Sequence, residues 1–233
     1  HMVRNNQVLR TMELEQIGFD IQDVACVMHA LADNTSLTRL SFHFNEKSAQ
    51  SEEGAQEKMN EGLYRNSTLA DLRLSSCGIT DVTLPIEGLA QHMGLLELDI
   101  GGSDLKKAVT ALHALPPFVH EFSMSPSYAE FTDEFWELLS KNTSLKCIRM
   151  GNCQLTPQHL PGLLSVIEIN TTLTSIVLYG DSIFKDGGKK KVELALQTNL
   201  ILTNLGDLCH EVFGRNFVRN MTLLEYIEIE DEE

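Results

Sequence analysis

A short apolar template, Leu-x-x-Leu-x-Leu, returns along this 233-residue chain at nearly constant spacing. That repetition limits the fold more than any other feature. The copies are Leu9-x-x-Met12-x-Leu14, Leu37-x-x-Leu40-x-Phe42, Leu69-x-x-Leu72-x-Leu74 and Leu95-x-x-Leu98-x-Ile100. Val119-x-x-Phe122-x-Met124, Leu145-x-x-Ile148-x-Met150, Leu173-x-x-Ile176-x-Leu178 and Leu202-x-x-Leu205 follow. Their first positions lie 28, 32, 26, 24, 26, 28 and 29 residues apart, and Leu223-x-x-Tyr226 is a doubtful ninth only 21 residues on.

Within each copy apolar and variable residues alternate, which is the pattern of a strand with one face buried. The rest of the unit has a helical period. Ile21, Val24, Met28 and Leu31 fall on one helix face, and so do Phe131, Phe135, Leu138 and Leu139. A strand and a helix in about 28 residues cannot enclose a core alone, so neighbours must stack and share one. The expectation is an α/β solenoid (horseshoe) of about eight repeats, with a parallel sheet on the concave face and helices on the convex face.

Asn34, Asn66, Asn142, Asn170 and Asn199 each sit between a helical segment and a strand. Asn tolerates the left-handed conformation that ends a helix, and its amide can bond turn backbone. His92 and Pro116 replace it in the fourth and fifth units, so the middle of the chain is expected to be its least regular part. Three residues past each strand template the chain reads Ile17, Asn45, Cys77, Ser103, Ser127, Cys153 and Asp181. Small polar side chains there can bond the turn; Ile17 departs from this and marks the first unit as an atypical cap. Asn34, Asn66, Asn142, Asn170 and Asn220 are formal glycosylation sequons, but the repeat accounts for four of them without glycan.

The spacing Leu139-x-x-Asn142-x-x-Leu145-x-x-Ile148, repeated from Leu164 to Leu173, resembles the ribonuclease-inhibitor class of leucine-rich repeats. The resemblance implies a cytoplasmic protein binder that uses the concave face and rim. The phrase Leu196-Gln-Thr-Asn-Leu-Ile-Leu202-Thr-Asn-Leu-Gly206 is similar to the last repeat of tropomodulin, which implies an actin- or cytoskeleton-binding alternative. The Cys153-x-Leu-Thr156 turn is similar to the sensor repeats of NOD-like receptors. A receptor sensor fragment, or a pathogen effector that borrows the fold, is a further alternative.

His1-Met2 has the look of an expression scar, residues 3–225 form one repeat domain, and residues 226–233 are an acidic tail. Net charge is −15, which opposes nucleic-acid binding through bulk charge. Lys189-Lys190-Lys191 is the one basic run, expected as a solvated helix start. No apolar run is long enough for a membrane span. Five cysteines, odd in number and without a Cys-x-x-Cys pair, fit reduced thiols in the cytoplasm. The histidines form no zinc motif and no nucleophile elbow is present, so no enzyme activity, metal or cofactor is expected.

The variable strand positions should face outward. Arg39, Asp71, Arg73, Glu97, Asp99 and Glu121 then form a charged field over the second to fifth strands. That field is either a self-neutralising ladder or a docking face. The residues expected to contact a protein partner are Arg39, Arg73, Asp99, Glu121, Arg149 and Tyr179. His43 and Phe44 sit near the same rim. The polar insertion from Glu46 to Gly62 is expected to be a longer solvated helix, and open sheet edges invite dimerisation.

Overall fold

The computed structural model describes residues 2–43, 54–75, 79, 84–102, 105–125, 131–151, 153, 155–178, 183 and 187–205. The chain forms two compact units, His1–Ser127 and Tyr128–Glu233.

In the first unit, strands β1 (Thr11–Glu15), β2 (Arg39–His43), β3 (Asp71–Ser75), β4 (Glu97–Asp99) and β5 (Glu121–Met124) pair in parallel in sequence order. Helices α1 (Met2–Asn5), α2 (Ile21–His29), α3 (Ala55–Arg65), α4 (Ile86–Gln91) and α5 (Leu105–Ala114) alternate with them. The template sets the register. Met12, Leu40, Leu72, Leu98 and Phe122 lie opposite one another and are buried. Ile21, Val24, Met28 and Leu31 are at most 1% exposed, as the helical period requires, although a 3-10 turn over Ala30–Asp33 carries Leu31. The expected irregularity is visible in length: β4 has three residues and α4 six.

The second unit repeats the pattern. Strands β6 (Cys147–Met150) and β7 (Ser175–Leu178) pair in parallel, and Asn204 bridges to Ser175. Helices α6 (Asp133–Lys141), α7 (Leu160–Ile169) and α8 (Gly188–Leu196) pack in succession. Thr132 caps α6 by accepting from the Phe135 amide. The α6 face differs from the expected one at two residues, and the first of them, Phe131, lies ahead of the helix and is half-buried. Trp136 is 4% exposed and Leu138 only half-buried, because the indole packs against Gly162 of α7 and the Phe135 ring. Parallel strands alternating with helices, in the register the template dictates, fit a leucine-rich-repeat-like fold.

The asparagines act through their amides, not through left-handed backbone. Asn34, Asn66, Asn142 and Asn170 are extended, with ψ of 128, 141, 132 and 129°. An extended residue turns the chain from helix into strand and leaves the side chain pointing inward. There the Asn66 Oδ1 accepts from the Thr68 and Leu69 amides at 3.0 and 2.8 Å. Its Nδ2 donates to Leu31 O and Asn34 O in the preceding repeat, at 3.0 and 2.9 Å. Asn34 and Asn170 repeat all four bonds. Asn34, Asn66 and Asn170 are 3–4% exposed, so the sequon nitrogens are inside the fold and already used. Cys153 is fully buried and its Sγ donates to Gly151 O at 3.4 Å, the turn role expected for it. Asn45, Cys77, Ser103, Ser127, Asp181 and Asn220 lie outside the described residues.

His92 stands in for Asn. Its Nδ1 accepts from the Gly94 amide at 3.1 Å, but its Nε2 is buried and meets no acceptor among the described residues. Burial holds the His92 pKa below the usual 6.5. Burial also lowers that of His159, whose Nδ1 accepts from the Thr156 amide at 3.0 Å. A depressed folded pKa means that the unfolded chain takes up the proton first. Stability is therefore full above about pH 6.5 and falls as pH drops below it. Urea midpoints measured from pH 7.5 to 5 should show this fall, and His92→Asn should flatten part of it. A midpoint that rises on acidification would contradict the assignment. Pro116 needs no side chain in the equivalent place, because its carbonyl accepts from the Val119 amide at 3.1 Å.

Candidate functional site

Alternation along β1 to β5 sends the variable positions to the open face of the sheet, away from the helices. Two columns result. Thr11, Arg39, Asp71, Glu97 and Glu121 are in register in the first. Glu13, Ser41, Arg73, Asp99 and Ser123 form the second.

Asp71 is the centre of this face. Its side chain is 8% exposed, and it pairs with Arg39 Nε at 2.6 Å. Arg73 donates to it twice, Nε to Oδ1 at 3.1 Å and Nη2 to Oδ2 at 3.0 Å. The fork of the guanidinium fits the carboxylate geometry. The Asp71 hydrogen bonds raise the Arg73 pKa above its ordinary value, with the nearby charges of Asp99 and Glu97 adding to the effect. Arg73 Nη2 also lies 3.9 Å from Glu97 Oε2. Both arginines remain nearly half exposed, so their outer edges stay available.

The acids are distributed unevenly. Glu97 is flanked in its own column by Asp71 on one side and Glu121 on the other. Asp99 lies beside Arg73 in register and accepts from the Gly101 amide at 2.7 Å. Along the strand ends a Cβ at Gly101 would come within 3.0–3.1 Å of Ser75 Oγ, Asp99 Oδ1 and Ser125 Oγ. Only glycine leaves that row of hydroxyls and carboxylate undisturbed. On these columns two arginines face five carboxylates, Glu13, Asp71, Glu97, Asp99 and Glu121.

Of the residues expected at a partner contact, Arg39, Arg73, Asp99 and Glu121 share this face. Arg149 lies on β6 in the second unit, exposed, opposite the buried Val177. Tyr179 and Phe44 lie outside the described residues. Asp71, part of the charged field but absent from the expected contacts, is the group around which both arginines are arranged. Its position opposite Arg39 and two residues before Arg73 was visible in the sequence.

The helix side carries a groove of about 520 Å³ between α3 and α4, lined by Glu57, Asn60, Glu61, Tyr64, Glu87 and Gly88 with Gln91. Glu61 there is 3.1 Å from His29 and 3.4 Å from Arg65. The α3 helix covers residues 55–62 of the polar insertion, but it is not the solvated helix expected, because Ala55, Met59 and Gly62 are buried; residues 44–53 are outside the described set. No cluster of three metal-ligating side chains occurs among the described residues, and none of their helices is long and apolar enough to cross a membrane. Lys190 and Lys191 are exposed in the first turn of α8.

No family model matches this sequence, and no curated protein matches it. Among solved structures it is similar to "Leiomodin-1 Actin-Binding Site 2 (ABS2)" at 12% identity and a TM-score of 0.32. That superposition covers 92% of this chain and 97% of the other.

Proposed function

We propose that the chain is a non-catalytic protein-interaction module of the ribonuclease-inhibitor-like repeat class, acting in the cytoplasm on one protein partner. The partner lies across the open face of β1 to β5. The observation that supports this is the uneven charge of that face. Arg39, Asp71 and Arg73 are tied together, whereas Glu97, Asp99 and Glu121 gather on the next two strands with no arginine or lysine on them. Parallel pairing fixes these carboxylates at strand spacing, so little ordering entropy is lost when a partner docks. A partner presenting lysines or arginines to β4 and β5, and a carboxylate or carbonyl to the outer edges of Arg39 and Arg73, fits the pattern.

The test is affinity capture from lysate at low salt, followed by titration of whatever protein is retained. Wild type is compared with Glu97→Lys/Asp99→Lys/Glu121→Lys and with Arg39→Glu/Arg73→Glu, all first shown to be folded. Reversal of the acids should weaken binding at least about tenfold, and added salt should weaken wild type in parallel. Equal retention by all three proteins would remove the open face from the interaction. Arg149→Glu is a separate variant, since that residue belongs to the other unit. Pointed-end actin elongation tests the tropomodulin-like alternative, and no slowing at micromolar protein would remove it.

A further inference from the structure

Within each unit, successive repeats are joined by the same donors. In the second repeat, Thr38 N and Arg39 N both donate to Arg10 O. In the third, Ala70 N and Asp71 N donate to Thr38 O. Leu96 N and Glu97 N donate to Ala70 O, and His120 N and Glu121 N to Leu96 O. To these two amides the asparagine adds its Nδ2, which reaches two carbonyls of the preceding repeat. These two amides and the asparagine Nδ2 all point toward the N-terminus, while other strand amides, such as Gln16 N to His43 O and Ile100 N to Ser123 O, point the other way.

The first repeat carries the same donors. Asn6 precedes Leu9 as Asn34 precedes Leu37, and its Oδ1 accepts from Val8 N and Leu9 N at 2.9 and 2.8 Å. Asn34 makes the matching bonds at the same two distances. Asn6 is therefore a regular rung of the ladder, half complete. Its Nδ2, and the amides of Arg10 and Thr11 that correspond to Thr38 and Arg39, meet no acceptor among the described residues. The apolar positions agree. Leu9 is 38% exposed, whereas Leu37, Leu69, Leu145 and Leu173 are at most 2% exposed. Val8 is 83% exposed where Ser36 is 2% exposed, and Met2 is 69% exposed.

We infer that this edge is a docking surface for one further helix–strand repeat, laid parallel to β1. The occupant is defined by its chemistry. It must end a helix with two carbonyls within reach of Asn6 Nδ2, and it must offer one strand carbonyl to the Arg10 and Thr11 amides. It must also bring an apolar side chain onto Leu9. An antiparallel strand could reach the β1 amides but would carry no helix end to Asn6, so parallel addition is the arrangement that fills every donor. This edge is separate from the charged face, and the inference stands whether or not that face binds a partner.

The probe is the full chain extended at its N-terminus by a copy of its own residues 132–165, joined directly ahead of Met2, so that the copied α6 ends with the Leu139 and Asn142 carbonyls that Asn170 Nδ2 uses in the natural repeat. In that fusion Val3 falls where Ile167 lies in the natural repeat, three residues before the asparagine, and both are buried. The expected result is one cooperative urea transition with a raised midpoint. Hydrogen exchange at Arg10 and Thr11 should slow about a hundredfold, since each amide gains a partner. Asn6→Ala should raise the unfolding constant at least about tenfold more in the extended chain than in the original. Unchanged exchange at Arg10 and Thr11, or a separate transition for the extension, would overturn the inference. So would concentration-dependent association of the unextended chain that Asn6→Ala abolishes, because a second copy would then be the occupant.

Discussion

Gly62→Ala is expected to destabilise the protein by about 3 kcal/mol, the upper end of the cost of overpacking. The sign is what makes the measurement informative. In an ordinary helix interior the same change stabilises by about 0.5–1 kcal/mol, because alanine loses less backbone freedom. Here Gly62 of α3 lies against the backbone of α2. A Cβ would sit 2.0 Å from Met28 O and 2.6 Å from Met28 C. Neither is the flexible end of a side chain, and Met28 is itself fully buried, so α2 and α3 must separate. Thermal unfolding by circular dichroism should show a midpoint lower by roughly 10 °C for a unit of this size. Gly88→Ala meets Asn60 O at 2.8 Å and should fall between that variant and wild type. If Gly62→Ala melts at or above wild type, the close approach of the two helices is not a requirement of the fold.

Asn66→Ala is expected to cost still more, about 3–5 kcal/mol. The truncation removes four hydrogen bonds at once and strands buried partners on both sides. Leu69 is fully buried, so its amide cannot turn to water without opening the repeat. Asn66→Asp separates the two halves of the role. It keeps both acceptor functions but sets a carboxylate oxygen against Leu31 O and Asn34 O. If donation to the preceding repeat carries most of the effect, both variants should be equally weak at neutral pH. If the local turn carries it, Asn66→Asp should approach wild type. An Asn66→Ala protein within 1 kcal/mol of wild type in urea would show that the ladder is incidental.

The strands were readable because one rule, the alternation of apolar positions, sets both the face and the register. Arg39, Asp71 and Glu97 could be placed in one column before any coordinates, and they are. Local helix faces were nearly as clear, since Ile21, Val24 and Met28 need only their own helix to be on one side. What escaped depends on neighbours. The asparagines were recognised by spacing, but their extended backbone follows from the carbonyls that the preceding repeat presents. Trp136 replaces Leu138 on the buried face because Gly162 in the next helix leaves room for an indole. Asp71 matters more than the residues beside it because both guanidiniums reach it, which a column of letters does not show. Asn6 was readable by the same spacing as Asn34, yet it precedes a unit marked as irregular by Ile17, which is indeed half exposed.

The direction of the asparagine bonds has a consequence for synthesis. A ribosome releases the chain from its N-terminus, so each repeat emerges after the one whose carbonyls accept its asparagine Nδ2. A newly emerged helix–strand pair carries its own donors and finds waiting carbonyls on a surface that has already formed. The asparagine bonds can then close one repeat at a time, each on a helix end that has already left the exit tunnel. Translation pauses placed just after Asn66 or Asn170 would leave a finished template behind them, whereas a pause before either would leave two carbonyls of the preceding repeat without their donor.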